Sequence, residues 1–230
     1  MNIASWRHWA AAGLIAVLNT GAFAQMTVPQ GGAYSLSTGA SLNLGCTPLI
    51  NQGNVRVSSG QINSVSGVTI TNTGVLNGDQ GTINVSGNWS NSGTFNAGTG
   101  TVVFVDGCAS GPITLTGPTV FNNLTLSSTT GRTFIVPAGQ NITVNGILNL
   151  QGTSGQTIQL LSSNGSTAVI SLGPQAQVIR NFVNVNAGVQ IGALPTPQSI
   201  PTLDEYAMIL LMLMLLGIAG LNLRSRPTNP

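Results

Sequence analysis

A short pattern recurs in this chain at an offset of nineteen to twenty residues. Val65-Ser66-Gly67 leads through Asn72-Thr73-Gly74 to Val75-Leu76-Asn77, and Val85-Ser86-Gly87 leads through Asn91-Ser92-Gly93 to Thr94-Phe95-Asn96. A third echo, Ile142-Thr143-Val144-Asn145-Gly146-Ile147-Leu148-Asn149, matches Ile83 to Gly87 at its front and Gly93 to Asn96 at its back. Repeats of this length indicate the coils of a solenoid, in which each unit buries its apolar face only against its neighbours.

The residues within the repeat fit that geometry. Val68-Thr69-Ile70, Ile83-Asn84-Val85, Val102-Val103-Phe104, Ile113-Thr114-Leu115, Leu124-Thr125-Leu126, Ile142-Thr143-Val144 and Ile158-Gln159-Leu160 place apolar side chains at i and i+2. Such alternation turns one face of a short strand toward a core and the other toward water. Gly and Asn between the strands tolerate the positive φ that tight corners require. Asparagines at matching positions, Asn77, Asn96 and Asn149, are expected to form side-chain ladders along the stack. The fold expected is all-β, a β-solenoid over residues 25–194, with an antiparallel β-sandwich as the alternative because short strands with frequent turns also suit it.

Charge is scarce throughout this region. Arg56, Arg132, Arg180, Asp79 and Asp106 are its charged residues, so three arginines stand against two aspartates. Solubility therefore rests on Asn, Ser, Thr and Gln, while a mean hydropathy of +0.31 for the whole chain shows that enough apolar residues remain for a core. Nucleic acid is excluded as a partner, because neutralising phosphates takes clustered Lys or Arg. The composition also argues against an enzyme: polysaccharide cleavage needs positioned acids and bases. Asp79 in Asn77-Gly78-Asp79-Gln80-Gly81 and Asp106 in Val105-Asp106-Gly107 read instead as turn residues. No metal ligand set and no cofactor motif is present in the sequence.

Cys46 and Cys108 are the only cysteines. In an oxidising compartment an even pair is expected to bridge, closing a loop whose chain-entropy stabilisation is on the order of 4 kcal/mol.

Both ends read as addresses. Arg7, the apolar stretch Ala10 to Leu18 and the Ala22-Phe23-Ala24 site make residues 1–24 a secretory signal helix, with Gln25 the expected first residue of the mature protein. At the other end, residues 195–199 form a short linker, and eighteen uncharged residues from Tyr206 to Leu223 are expected to form a transmembrane helix. Asp204 and Glu205 precede that run while Arg224 and Arg226 follow it, so the positive-inside bias places the tail, residues 227–230, in the cytoplasm and the solenoid outside.

The order Ile200-Pro201-Thr202-Leu203, Glu205, Tyr206, apolar run, Arg224 and Arg226 resembles the IPTL-CTERM sorting signals of Gram-negative bacteria over residues 200–226. Tyr206 stands where members of that family usually carry Trp. The resemblance implies an exosortase-like membrane enzyme as partner, delivery to the cell envelope, and release or transfer of the cargo at the cell surface. Between Val65 and Leu150 the chain also resembles repeats of bacterial surface β-solenoids, which implies a parallel right-handed β-helix. A secreted, non-enzymatic surface or matrix protein is the reading that follows, with exopolysaccharide or another surface glycan as its contact, or an adhesin role. A β-helix carbohydrate-active enzyme and an envelope protein kept on its uncut anchor are the alternatives.

Overall fold

A computed structural model describes residues 25–192 and 212–213. Residues 25–192 wind into about eight coils of parallel strands. The first coil holds β1 (Met26–Val28), β2 (Ala33–Ser35) and the start of β3 (Ser41–Asn51). The second takes the end of β3, β4 (Asn54–Arg56) and the start of β5 (Gln61–Ile70); the third takes the end of β5, β6 (Val75–Asn77) and β7 (Thr82–Val85). Then follow β8 (Trp89–Asn91), β9 (Thr94–Asn96) and β10 (Thr101–Phe104), and next β11 (Ile113–Thr116), β12 (Thr119–Phe121) and β13 (Asn123–Ser127). The sixth and seventh coils are β14 (Thr133–Val136), β15 (Ile142–Val144), β16 (Ile147–Gln151) and β17 (Ile158–Ser162), β18 (Ala168–Leu172), β19 (Gln177–Asn181). The chain ends its stack with β20 (Val183–Val185) and β21 (Val189–Ile191).

Every paired strand runs parallel to its partner, which removes the antiparallel sandwich; an isolated antiparallel bridge, Thr153 to Gln156, lies within a turn. Three faces result. One carries β7, β10, β13, β16 and β19; a second carries β8, β11, β14, β17 and β20; the third carries β2-β4-β6-β9 and then β12-β15-β18-β21. The long strands β3 and β5 turn a corner without breaking, so they join the first two faces into one thirteen-stranded sheet.

The core fills the prism. Inward positions such as Ile62, Ile83, Phe104, Leu124 and Leu148 have essentially no exposure, as the alternation requires. Aromatic rings plug the middle coils. Trp89 meets Phe95, Phe121 and Phe104 at centroid distances of 5.1, 5.4 and 6.5 Å, and Phe104 meets Phe134 at 6.5 Å. The buried Trp89 Nε1–H donates to Thr119 Oγ1 at 3.2 Å, so its polar edge is satisfied inside the core. On the third face Phe95 and Phe121 meet at a centroid distance of 5.7 Å, their rings tilted by 56°, where the two four-stranded sheets abut.

The first two echoes do stack. Val65 pairs with Val85, and Ser86 N donates to Val65 O at 2.8 Å. The third echo does not follow them: Ile142–Val144 pairs with Thr119–Phe121 on the third face, whereas Ile83–Val85 lies on the first. The cause is a lengthening coil. Stacked positions step 20 residues from Leu42 to Ile62, 21 to Ile83, 19 to Val102, 22 to Leu124, 24 to Leu148 and 30 to Val178. A similar sequence further along therefore falls at a different angle around the axis.

Close stacking leaves no room at some corners. A Cβ on Gly87 would lie 1.8 Å from the backbone oxygen of Ser66 in the coil below, so glycine is required there by contact. Gly39, by contrast, has φ +73° and open space around it. Chemical denaturation of Gly87→Ala is expected to show a loss of at least about 2 kcal/mol, and of Gly39→Ala only about 1 kcal/mol, because the second substitution strains φ without a clash.

Candidate functional site

The outer surface carries columns of uncharged polar side chains. Asn96 Nδ2 donates to Asn77 Oδ1 at 2.9 Å and Asn77 Nδ2 to Asn54 Oδ1 at 3.1 Å, a ladder on the third face. Asn149 is not its next rung. It lies on β16, on the first face, where it accepts from Gln151 Nε2 at 2.9 Å, because the lengthened coils carried its stretch to another side. On the first face Asn84 Nδ2 donates to Asn63 Oδ1 at 2.6 Å, and Asn63 Nδ2 donates to Ser41 Oγ at 2.9 Å. Each rung donates to the one before, so the amides point the same way along the axis.

Asparagine also builds from the inside. Asn51 and Asn91 are buried where the second face turns into the third. Each accepts from the glycine amide two residues on, Gly53 at 3.1 Å and Gly93 at 3.2 Å, while its Nδ2 donates to the coil above, to Val75 O and Pro118 O at 2.9 Å. One side chain thus closes a turn and ties two coils.

Cys46, Cys108, Asp106 and Arg132 collect at one corner. Cys46 and Cys108 are joined, with Cα atoms 5.1 Å apart and a sequence separation of 62. Cys46 sits in β3 at the end of the first coil, whereas Cys108 follows β10 in the fourth. Three coils at about 4.8 Å each separate those positions, so residues 105–112 must fold back along the corner as a strap. Gly107 passes over Ser86 on that path.

Arg132 pins the strap. It is only 5% exposed and donates through Nε and Nη2 to Gly111 O at 3.1 and 2.7 Å, and through Nη1 to Ser86 O at 2.9 Å and Val105 O at 3.4 Å. A guanidinium, with five donors in a rigid fork, suits three converging carbonyls better than any other side chain. Burial lowers its pKa and the nearby Asp106 charge opposes that. Asp106 in turn accepts from Thr129 N at 2.7 Å, Thr129 Oγ1 at 3.0 Å and Ser128 Oγ at 3.1 Å. Burial raises its pKa, but the hydrogen bonds from Thr129, Ser128 and Thr130 outweigh that and hold it below the ordinary 3.8.

Asp79 lies at a different corner, after β6, with φ +49° and an ion pair to Arg56 (Nε to Oδ2, 2.8 Å). The structure thus gives each aspartate its own turn and its own partners and does not bring the two together. Among the described residues no three of His, Cys, Asp or Glu come together as a metal-holding group.

The role of Arg132 escaped the sequence reading, although a signal was there. Phe134 and Val136 point inward, and the same alternation extended back two residues turns Arg132 toward the core. Most address residues lie outside the described residues: Ala22 and Ala24, Ile200 to Leu203, Glu205, Tyr206, Arg224 and Arg226. Gln25 is the first described residue. Of the expected span, Met212 and Leu213 are described and are helical; no helix among the described residues is long and apolar enough to cross a membrane.

Two outcomes are expected for the corner. Arg132→Met leaves the buried Ser86 carbonyl without its guanidinium donor and lowers unfolding free energy by about 2–4 kcal/mol, while Cys46→Ala with Cys108→Ala costs about 4 kcal/mol; urea titration measures both. Because the Asp106 pKa is lower folded than unfolded, its stabilisation is present above the unfolded value and is lost as pH falls through the folded one. Unfolding free energy measured from pH 6 down to pH 3 should therefore fall below about pH 4, and the fall should be smaller in Asp106→Asn.

No curated protein and no solved structure matches the chain. Residues 198–226 match the family model of the IPTL-CTERM motif, beginning two residues before Ile200, so the chain carries that sorting signal behind its solenoid.

Proposed function

We propose that this is an exported, non-enzymatic β-solenoid of the bacterial cell surface or extracellular matrix, its secretory signal removed before Gln25. The observation that carries the reading is the IPTL-CTERM motif at residues 198–226 following a parallel solenoid. That motif implies a sorting enzyme and a destination in the cell envelope or at the surface. In this reading an exosortase-like enzyme recognises Ile200 to Tyr206 while the apolar run spans the inner membrane and Arg224 and Arg226 stay in the cytoplasm. The Cys46–Cys108 bridge supports export, since such bonds persist in oxidising compartments.

The stack itself winds right-handed, as parallel crossovers do. Its role is to present an extended neutral surface. Arg132 is buried and Arg56 is paired, so recognition of an anionic polymer by charge has little to work with. Columns of Asn, Ser, Thr and Gln offer donors and acceptors to a neutral, hydroxyl-rich surface glycan or to another cell's surface in adhesion.

Mass spectrometry of the protein recovered from envelope and medium tests the proposal. A product beginning at Gln25 and lacking the apolar run is expected. Replacing Ile200-Pro201-Thr202-Leu203 by four alanines should keep the full C-terminus on the protein and hold it in the membrane fraction. Identical processing of that variant would contradict the reading.

A further inference from the structure

Three Asn-Gly pairs occur in the chain: Asn77-Gly78, Asn145-Gly146 and Asn164-Gly165. An asparagine followed by glycine can react with its own backbone, because no Cβ shields the next amide nitrogen. That nitrogen attacks the side-chain Cγ, a C–N bond forms, ammonia leaves, and a five-membered succinimide results. Water then opens the ring at either carbonyl to give aspartate or isoaspartate. Water enters and ammonia leaves, and no other reactant is needed.

The fold treats the three sites differently. Gly78 N donates to Asn96 O at 2.8 Å and Gly146 N to Asn122 O at 2.8 Å, so in both pairs the attacking nitrogen is held in an inter-coil hydrogen bond. The Asn77 side chain is also fixed in its ladder, and Asn145 N donates to Phe121 O at 3.0 Å. To react, either site must first peel from its neighbouring coil.

Asn164 has no such restraint. It lies between β17 and β18 in a turn whose residues 163–167 are all exposed. Gly165, at φ +76°, donates its amide to no acceptor among the described residues. Ser166 N donates to Asn164 Oδ1 at 3.0 Å, which polarises Cγ and stabilises the negative charge that develops on that oxygen during attack. Ser162 Oγ donates to Ser166 O and holds the turn closed around the pair.

We infer that Asn164 is a self-modifying site, where the folded protein slowly replaces a neutral amide by a carboxylate. From Thr133 to Gly192 the only charged residue is Arg180, so the change installs the first negative charge in that part of the solenoid. The turn lies outside the ladders, and the added main-chain methylene of isoaspartate leaves the stack intact. The inference is independent of where the protein is sorted.

The test is to incubate the purified full chain at neutral pH, natively and in denaturant, and follow each asparagine by peptide mass mapping. Native Asn164 should gain one mass unit at least about tenfold faster than Asn77 or Asn145, and the three rates should converge on unfolding, since only folded structure separates them. Gly165→Ala should slow the native reaction, and Asn164→Asp should unfold like the parent. Equal native rates at the three sites, or an Asn164 that stays intact in the fold while converting in denaturant, would overturn the assignment.

Discussion

Everything in this molecule depends on each strand finding its hydrogen-bond partners one coil away. A three-residue strand has too little surface to persist alone, and a coil has no core of its own. Stacked in register, the coils satisfy their backbone groups in parallel ladders and bury the inward side chains of neighbours against one another. The same register brings like residues together on the outside, which is why asparagine meets asparagine there. Amides suit this position because each can donate and accept at once; a column of like charges at that spacing would repel.

The near absence of charge follows from the architecture and raises the cost of each exception. Arg132 is tolerated inside because three carbonyls receive it and Asp106 lies near. The disulfide, the strap it anchors and the guanidinium beneath form one assembly linking the first coils to the fifth and sixth. It sits on the corner where β3 and β5 bend, and later coils turn the same corner through separate strands. The strap therefore braces the place where the stack changes its manner of turning.

Alternating apolar residues and the twenty-residue echo were enough to recognise a solenoid, because within coils two to four the period is nearly constant. Beyond Phe104 the turns absorb extra residues, the step grows to 30, and similarity in sequence ceases to mean similarity in position. Asn149 was misplaced for that reason. The inward Arg132 was hidden because a charge beside a glycine turn reads as surface, although the inward alternation of Phe134 and Val136, extended back two residues, reaches it. The bonds that Asn51 and Asn91 make to the coil above depend on stacking that no local pattern reveals.

The sorting motif and the solenoid answer different demands, one of destination and one of durability. A protein sorted to the cell envelope or surface has to keep its shape there, and the stack does so through backbone pairing and a buried apolar core. The pairing register is the central claim, and nuclear Overhauser contacts between backbone protons test it directly. Contacts should link Ile62, Ile83, Val102 and Leu124 in sequence, each to residues about one coil away, with the amide-to-α-proton pattern of parallel strands. Close α-proton pairs between strands adjacent in sequence, the mark of antiparallel hairpins, would contradict it.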